Sequence, residues 1–416
     1  MSRFKMIKTS IRDFVSSLYF LLPSSIITGL LVALFLWLLE WVTSFRFSNN
    51  WLIYLLPFAG ILITWLYEIA GKNASAGNDL IIDEIHKPGA GVPARITPLI
   101  LITTLITHLF GGSAGREGTA IQMGGGVAAY FSRMFSLSPD QRSLLLMSGI
   151  AAGFGAVFGT PLAGAVFAIE VLTIGKLKYN AFFYCLISSV AGDLTCRLTG
   201  IHHTSYFVSF IPAGTGPIRW ISTDIFLLLK VIMAAIIFGY TSRLFTGLSH
   251  FTKSLARFII PNKWLRPVVG GSLVIGISYL VGSFDFLGLG VSNPAPGSVS
   301  ILSAFQPGGA GYLSWFWKML LTVITLSFGF KGGEVTPLFF VGATLGNVLA
   351  VIFGAPVDLF AAIGFIAVFA GATNTPLACT IMGVELFGSD NILFYAVACI
   401  TAYFFSGRAG IYTSQR

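Results

Sequence analysis

Two glycine-rich breaks constrain this chain more than any other feature. Gly111-Gly112-Ser113-Ala114-Gly115 and Gly329-Phe330-Lys331-Gly332-Gly333 sit between long hydrophobic stretches, and each is followed within two residues by a glutamate. Their surroundings are lipid-like: 55% of the 416 residues are hydrophobic and only 10% charged, too few charges to solvate a soluble domain of this size. Inside a bilayer an irregular backbone has no water to pair its N–H and C=O groups, so such breaks survive only when buried in protein or lining a wet cavity. Apolar runs fall at about 17–43, 51–70, 97–110, 144–173, 179–198, 223–247, 267–282, 313–329, 336–354, 359–386 and 391–406. At about 20 residues per crossing, several are too short, or too broken by glycine, to be simple upright spans. The expected fold is an all-α polytopic membrane protein whose discontinuous helices meet inside the membrane, with no room for a sizeable soluble catalytic domain.

Lysine and arginine total 25 against 16 acids, a formal net charge of +9. The basic residues lie in short gaps between apolar runs, which reads as topology signalling and contact with membrane lipids rather than with nucleic acid. The opening MSRFKMIKTSIR is basic and runs into an apolar stretch without a small-residue cleavage site, so a retained first span with a cytoplasmic N-terminus is expected. Cys185, Cys196, Cys379 and Cys399 have apolar neighbours and no close C-x-x-C spacing, and read as packing residues. The five histidines form no H-x-x-x-H or H-E-x-x-H pair, so neither a metal nor a cofactor is implied.

Comparing the halves is more informative than hydropathy. Gly115-Arg116-Glu117-Gly118-Thr119, Gly159-Thr160-Pro161-Leu162-Ala163 and Ala168-Ile169-Glu170 are matched in order by Gly333-Glu334-Val335-Thr336-Pro337, Asn374-Thr375-Pro376-Leu377-Ala378 and Gly383-Val384-Glu385. The offsets, 217 between Glu117 and Glu334 and 215 for the other two pairs, are nearly constant. Three ordered matches at nearly one offset indicate an internal duplication. One transmembrane domain spanning 1–416 is expected, with half-repeats of about 1–200 and 223–416. The linker falls near 201–222, where His202, His203, Pro212, Gly214, Gly216 and Pro217 interrupt the apolar pattern.

Most acids lie at run ends or in polar gaps, Glu84 and Asp193 among them, where water or an interface is within reach. Glu117, Glu170, Glu334 and Glu385 are embedded in apolar or glycine-rich sequence, where an ionisable side chain is expensive and commonly functional. Glu117 opens a helix-forming segment from Gly118 to Tyr130. Helix N-termini attract anions, so a carboxylate there either exchanges with a transported anion as its protonation changes or merely caps its own backbone. Glu334 is either a second site carboxylate or a salt-bridge partner of Lys331 or another cation. Thr336 is either an anion donor or a plain cap. The matched positions of Glu170 and Glu385 favour a structural job, such as accepting N–H groups from a nearby helix start. Gly77-Asn78 is a polar break leading into a short amphipathic piece, and Tyr412 reads by default as an interfacial aromatic.

Together these motifs resemble the CLC family of chloride channels and anion/proton antiporters, and its fluoride branch in particular, over nearly the whole chain from Gly77-Asn78 to Tyr412. Gly115-Arg116-Glu117-Gly118 resembles the family's G-R/K-E-G-P segment, which implies that Glu117 is the gating and proton-carrying residue. Thr119 stands where that segment has proline, and Gly333-Glu334-Val335-Thr336-Pro337 replaces the chloride-type G-x-F-x-P; both departures are similar to the fluoride branch. The resemblance makes Asn78 the selectivity residue, Tyr412 a pore-lining anion contact, and Glu334, Val335 and Thr336 the remaining anion-binding segment. Val171 stands where many chloride/proton antiporters carry an inner glutamate, which implies a different inner proton route.

The resemblance implies a CLC-type inverted repeat with a mid-membrane anion site. The expected function is secondary active export of fluoride against protons by a homodimer in a bacterial inner membrane, each subunit with its own pathway. A chloride-selective antiporter or channel is the alternative. An intramembrane enzyme using Glu117 and Glu334 as an acid/base pair is disfavoured, because no G-x-S-x-G, H-E-x-x-H or paired-aspartate motif accompanies them.

Overall fold

A computed structural model describes residues 2–72, 74–89, 91–212 and 225–416, with side chains from Ser16 onward. Among the described residues the chain is helical and has no named strand. The first half comprises α1 (Ser2–Ser48), α2 (Leu56–Ala70), α3 (Asn78–His86), α4 (Ile96–Leu109), α5 (Glu117–Met134), α6 (Pro139–Phe158), α7 (Pro161–Glu170) and α8 (Phe182–Leu198). The second comprises α9 (Ile225–Ile259), α10 (Leu265–Val281), α11 (Ile301–Ala304), α12 (Ser314–Ser327), α13 (Val335–Phe353), α14 (Val357–Thr373), α15 (Pro376–Phe387) and α16 (Ile392–Ser406). Among the described residues six helical stretches are long and apolar enough to cross a membrane, among them Ser16–Ser48 and Val335–Phe353, while α4, α7, α10, α14, α15 and α16 are shorter apolar helices. The connection expected near 201–222 has no regular secondary structure through Pro212, and its remainder, with Gly214, Gly216 and Pro217, lies outside the described residues.

The apolar runs at 144–173 and 359–386 each fold as two helices. Gly159 ends α6 at φ +72° and Asn374 ends α14 at φ +57°, both in the left-handed conformation that favours glycine and asparagine at a helix end. Pro161 and Pro376 then start α7 and α15, where the missing N–H is no loss. The repeated Thr-Pro-Leu-Ala is thus the start of a new helix immediately after a stop. Hydropathy misses the break because it falls within continuously apolar sequence.

The same offset recurs in the packing. α5 lies against α6 and α13 against α14, with Gly124 facing Gly149 in one pair and Gly342 facing Gly364 in the other. A Cβ on Gly124 would stand 2.1 Å from the Gly149 carbonyl oxygen, and one on Gly342 would stand 2.0 Å from that of Gly364. Both helix pairs need bare backbone at their crossing, as small-residue interfaces in membranes commonly do. All four cysteines are buried and unpaired within this packing.

Candidate functional site

The two glycine breaks meet in the buried interior of the protein. Gly115 N–H donates to the Gly333 carbonyl at 2.6 Å, and Gly333 N–H donates to that of Gly115 at 2.7 Å. Reciprocal bonds between equivalent positions satisfy the irregular backbone and bring the starts of α5 and α13 together. The first turn of each helix leaves backbone N–H groups without helical partners, so two positive helix ends converge on one region.

Glu117 is buried, and its carboxylate sits on the start of α13 rather than on its own helix. It accepts from Thr336 N–H at 3.0 Å and from the Thr336 hydroxyl. Arg116 adds its own N–H at 3.2 Å, and its Nε stands 3.5 Å from the other carboxylate oxygen. Local capping is therefore the lesser part of its bonding. The carboxylate occupies the kind of place an anion takes at a helix N-terminus, held by an amide and a hydroxyl. Thr336 donates as well as standing in the first turn of α13. Thr119 is buried, and its hydroxyl pairs with that of Thr104 at 2.8 Å, a bond that a proline there would remove.

Two cavities approach this contact. One, of about 160 Å³, is lined by Asn78, Gly118, Glu334, Val335 and Tyr412, with Gln122, Lys253 and Lys331. The other, about 20 Å³, is lined by Arg116, Glu117 and Thr336 with His203 and Tyr206. Gly118 and Val335 face one cavity while their chain neighbours Glu117 and Thr336 face the other, so the Glu117–Thr336 contact stands between them. A side chain on Gly118 would crowd the passage, its Cβ lying 3.1 Å from Gly333 Cα and 3.4 Å from the Asn78 side-chain nitrogen.

Asn78 begins α3 after Gly77, whose φ is +63°. Asp79 accepts from the Thr413 hydroxyl at 2.6 Å and from Ser414 N–H at 3.1 Å, which fixes Tyr412 beside Asn78. The Tyr412 hydroxyl and the Asn78 side-chain oxygen are buried without partners among the described residues. Buried polar atoms are normally paired, so these two are available to a ligand. Glu334 forms no ion pair with Lys331 among the described residues; the Lys331 ammonium lies 4.3 Å from the Tyr67 ring centroid instead. Glu334 thus shares a cavity with Asn78 and Tyr412, whereas Thr336 keeps company with Glu117.

Glu170 and Glu385 serve outside the cavities. Glu170 accepts from the N–H groups of Leu377 and Ala378 at 3.0 and 2.8 Å, and Glu385 from those of Leu162 and Ala163 at 3.0 and 2.7 Å. Two acids expected to reach water are buried but satisfied. Glu84 accepts from Gly89 and Gly91 N–H and pairs with Arg142, and Asp193 holds Arg197 at 2.8 Å. Lys253 and Gln122 carry no sequence signal that marks them for the cavity, because long-range packing of α9 and the inner face of α5 brings them there.

Residues 59–407 match the profile of the voltage gated chloride channel family. The chain is 42% identical over 398 residues to a chloride/fluoride channel protein of Pseudomonas syringae pv. tomato, covering 94% of this chain and 84% of that protein. Its structure is similar to that of a CLC-type fluoride/proton antiporter, with a TM-score of 0.90, 33% identity, and 97% of this chain and 98% of the other covered. A slow cyanobacterial Cl−/H+ antiporter shares the fold at a TM-score of 0.77 and 20% identity, over 95% and 96% of the two chains.

Proposed function

Because the chain belongs to the voltage gated chloride channel (CLC) family, we propose that it is a secondary active antiporter that exports fluoride across a cell membrane in exchange for protons. The observation that carries this reading is the Glu117 carboxylate seated on the Thr336 N–H and hydroxyl between two cavities. An ionised Glu117 holds that seat and closes the passage. Protonation weakens its hold on the donors, and fluoride takes the place. Loss of the proton to the other side returns the carboxylate and expels the anion, so each exchange ties anion movement to proton movement.

Fluoride is small and strongly hydrated, and it leaves water only for close, strong donors. Charge-assisted bonds from amides and hydroxyls meet that need. Thr336 and the Val335 backbone contribute from α13, with Asn78 and the unpartnered Tyr412 hydroxyl on the way in. Glu334 donates to the anion when protonated and passes a proton from the larger cavity. Gly115, Arg116, Gly118, Thr119 and Gly333 shape the seat. The relative from Pseudomonas syringae carries both chloride and fluoride in its name, and the similar solved structure is of a fluoride/proton antiporter.

The proposal includes two half-repeats, about 1–200 and 223–416, inserted in opposite senses, and a homodimer with one pathway per subunit in a bacterial inner membrane. The reciprocal bonds of Gly115 with Gly333 support the first part, since a two-fold relation produces such pairs. Exposed Leu162 and Leu377, at equivalent starts of α7 and α15, offer apolar surface for the second. The reading involves no chemical conversion of a substrate.

Its test is proton uptake by liposomes containing the purified protein, under a fluoride gradient and then an equal chloride gradient. Uptake with fluoride alone is expected. Equal uptake with chloride would keep the fold and discard the selectivity, and anion flux without protons would make the protein a channel.

A further inference from the structure

Arg46, in the last turn of α1, carries a buried charge with no counter-ion. It is 9% exposed, its Nε has no hydrogen-bond partner, and among the described residues no carboxylate stands within ion-pair distance of it. Its guanidinium lies 4.6 Å from the Phe47 ring centroid. The buried side chains nearby supply no counter-charge: Lys318 is fully buried and donates to the carbonyls of Phe286 and Gly288 at 3.1 and 2.7 Å. Burying a guanidinium is costly unless an anion meets it.

The guanidinium lines a hollow of about 770 Å³ between the end of α1 and the end of α10. Asn50, Ser283 and Asn293 give it polar lining, and Trp51, Tyr54 and Tyr279 give it aromatic walls. Asp285 faces the same hollow, but its carboxylate is taken by the Asn293 amide and Val299 N–H, both at 2.9 Å. Trp51, Tyr54 and Tyr279 are exposed around it, the aromatic dress of a membrane–water interface. An anion recognised at that depth, beside so much aromatic surface, is an amphiphile with a negatively charged head.

We propose that this hollow binds an anionic phospholipid whose headgroup phosphate pairs with Arg46. Arginine suits the role because its fork of donors matches phosphate. The ligand also bears on transport: an Arg46 Nη lies 3.4 Å from where a Cβ of Gly111 would stand, and Gly111 opens the break that carries Glu117. That consequence rests on the antiporter reading, whereas the binding does not.

The test uses the full chain in nanodiscs, with bound lipid read by native mass spectrometry and thermal unfolding measured alongside. Wild type should retain phosphatidylglycerol over phosphatidylcholine and unfold at higher temperature in its presence, and Arg46→Gln should lower that retention roughly tenfold or more. Should Arg46→Gln misfold, wild type labelled with a photoactivatable phosphatidylglycerol decides the matter, with adducts expected between Asn50 and Tyr54 or between Tyr279 and Asn293. Equal retention of neutral lipid, or adducts confined to other surfaces, would overturn the proposal. Inorganic phosphate that stabilises wild type in neutral nanodiscs as well as the anionic lipid does would make the ligand a free anion, which also overturns it. None of these readouts depends on fluoride or proton movement.

Discussion

Glu170 and Glu385 cap each other's half of the molecule. Glu170, at the end of α7, receives the first N–H groups of α15, and Glu385, near the end of α15, receives those of α7. Each carboxylate satisfies two amides that the helix itself leaves bare, at the end where the dipole favours negative charge. The exchange locks α7 to α15 and holds the two halves in register.

Replacing Glu170 with Ala leaves Leu377 and Ala378 N–H unpaired, at about 1–3 kcal/mol for the buried Ala378 group. Glu170→Ala should lower the thermal unfolding temperature in detergent, and Glu385→Ala should lower it by less, because its bonds to Leu162 and Ala163 are more exposed. Unchanged stability with lost proton coupling would instead place these glutamates on the proton route.

Thr336→Val keeps the backbone N–H at the seat and removes the hydroxyl. Losing one hydrogen bond to a charged partner costs about 1.5–3 kcal/mol, so the fluoride concentration for half-maximal transport should rise roughly tenfold or more. Fluoride efflux from liposomes, followed with an ion-selective electrode over a concentration series, measures it. An unchanged half-saturation would remove Thr336 from the anion's path.

Gly342→Ala forces a methyl against the Gly364 carbonyl, where a Cβ has 2.0 Å of room. Overpacking of this kind costs about 1–3 kcal/mol. In α10, by contrast, a Cβ at Gly276 meets nothing within 4 Å. Size-exclusion profiles and unfolding temperatures should therefore show Gly342→Ala destabilised and Gly276→Ala neutral or slightly improved. The reverse ranking would contradict the packing of α13 on α14.

Much of this was legible in the sequence because the duplication writes each device twice. Thr-Pro-Leu-Ala after Gly159 and after Asn374 marks a helix stop and restart by local chemistry alone, and the glutamate nine residues past each proline marks the cap. The destination of each carboxylate was not legible. Glu117 reaches Thr336 across 219 positions of chain, and a helix-start glutamate looks the same in sequence whether it caps its own helix or another. Glu84 and Asp193 sit in polar gaps, yet tertiary contacts bury them with partners. The partners of the basic residues were not legible for a related reason: Arg46 flanks an apolar run as interfacial residues do and Lys318 lies within one, and only the packed structure shows them without carboxylates.

If fluoride and the Glu117 carboxylate compete for one seat at the start of α13, the two ions must move together. The most direct test of that competition records fluoride efflux and proton uptake together from liposomes containing wild type or Glu117→Gln. Wild type should move both ions in fixed proportion, and the variant, unable to release a proton, should lose proton uptake whether or not fluoride still leaks. Fluoride-driven proton uptake that persists in Glu117→Gln would rule out that competition.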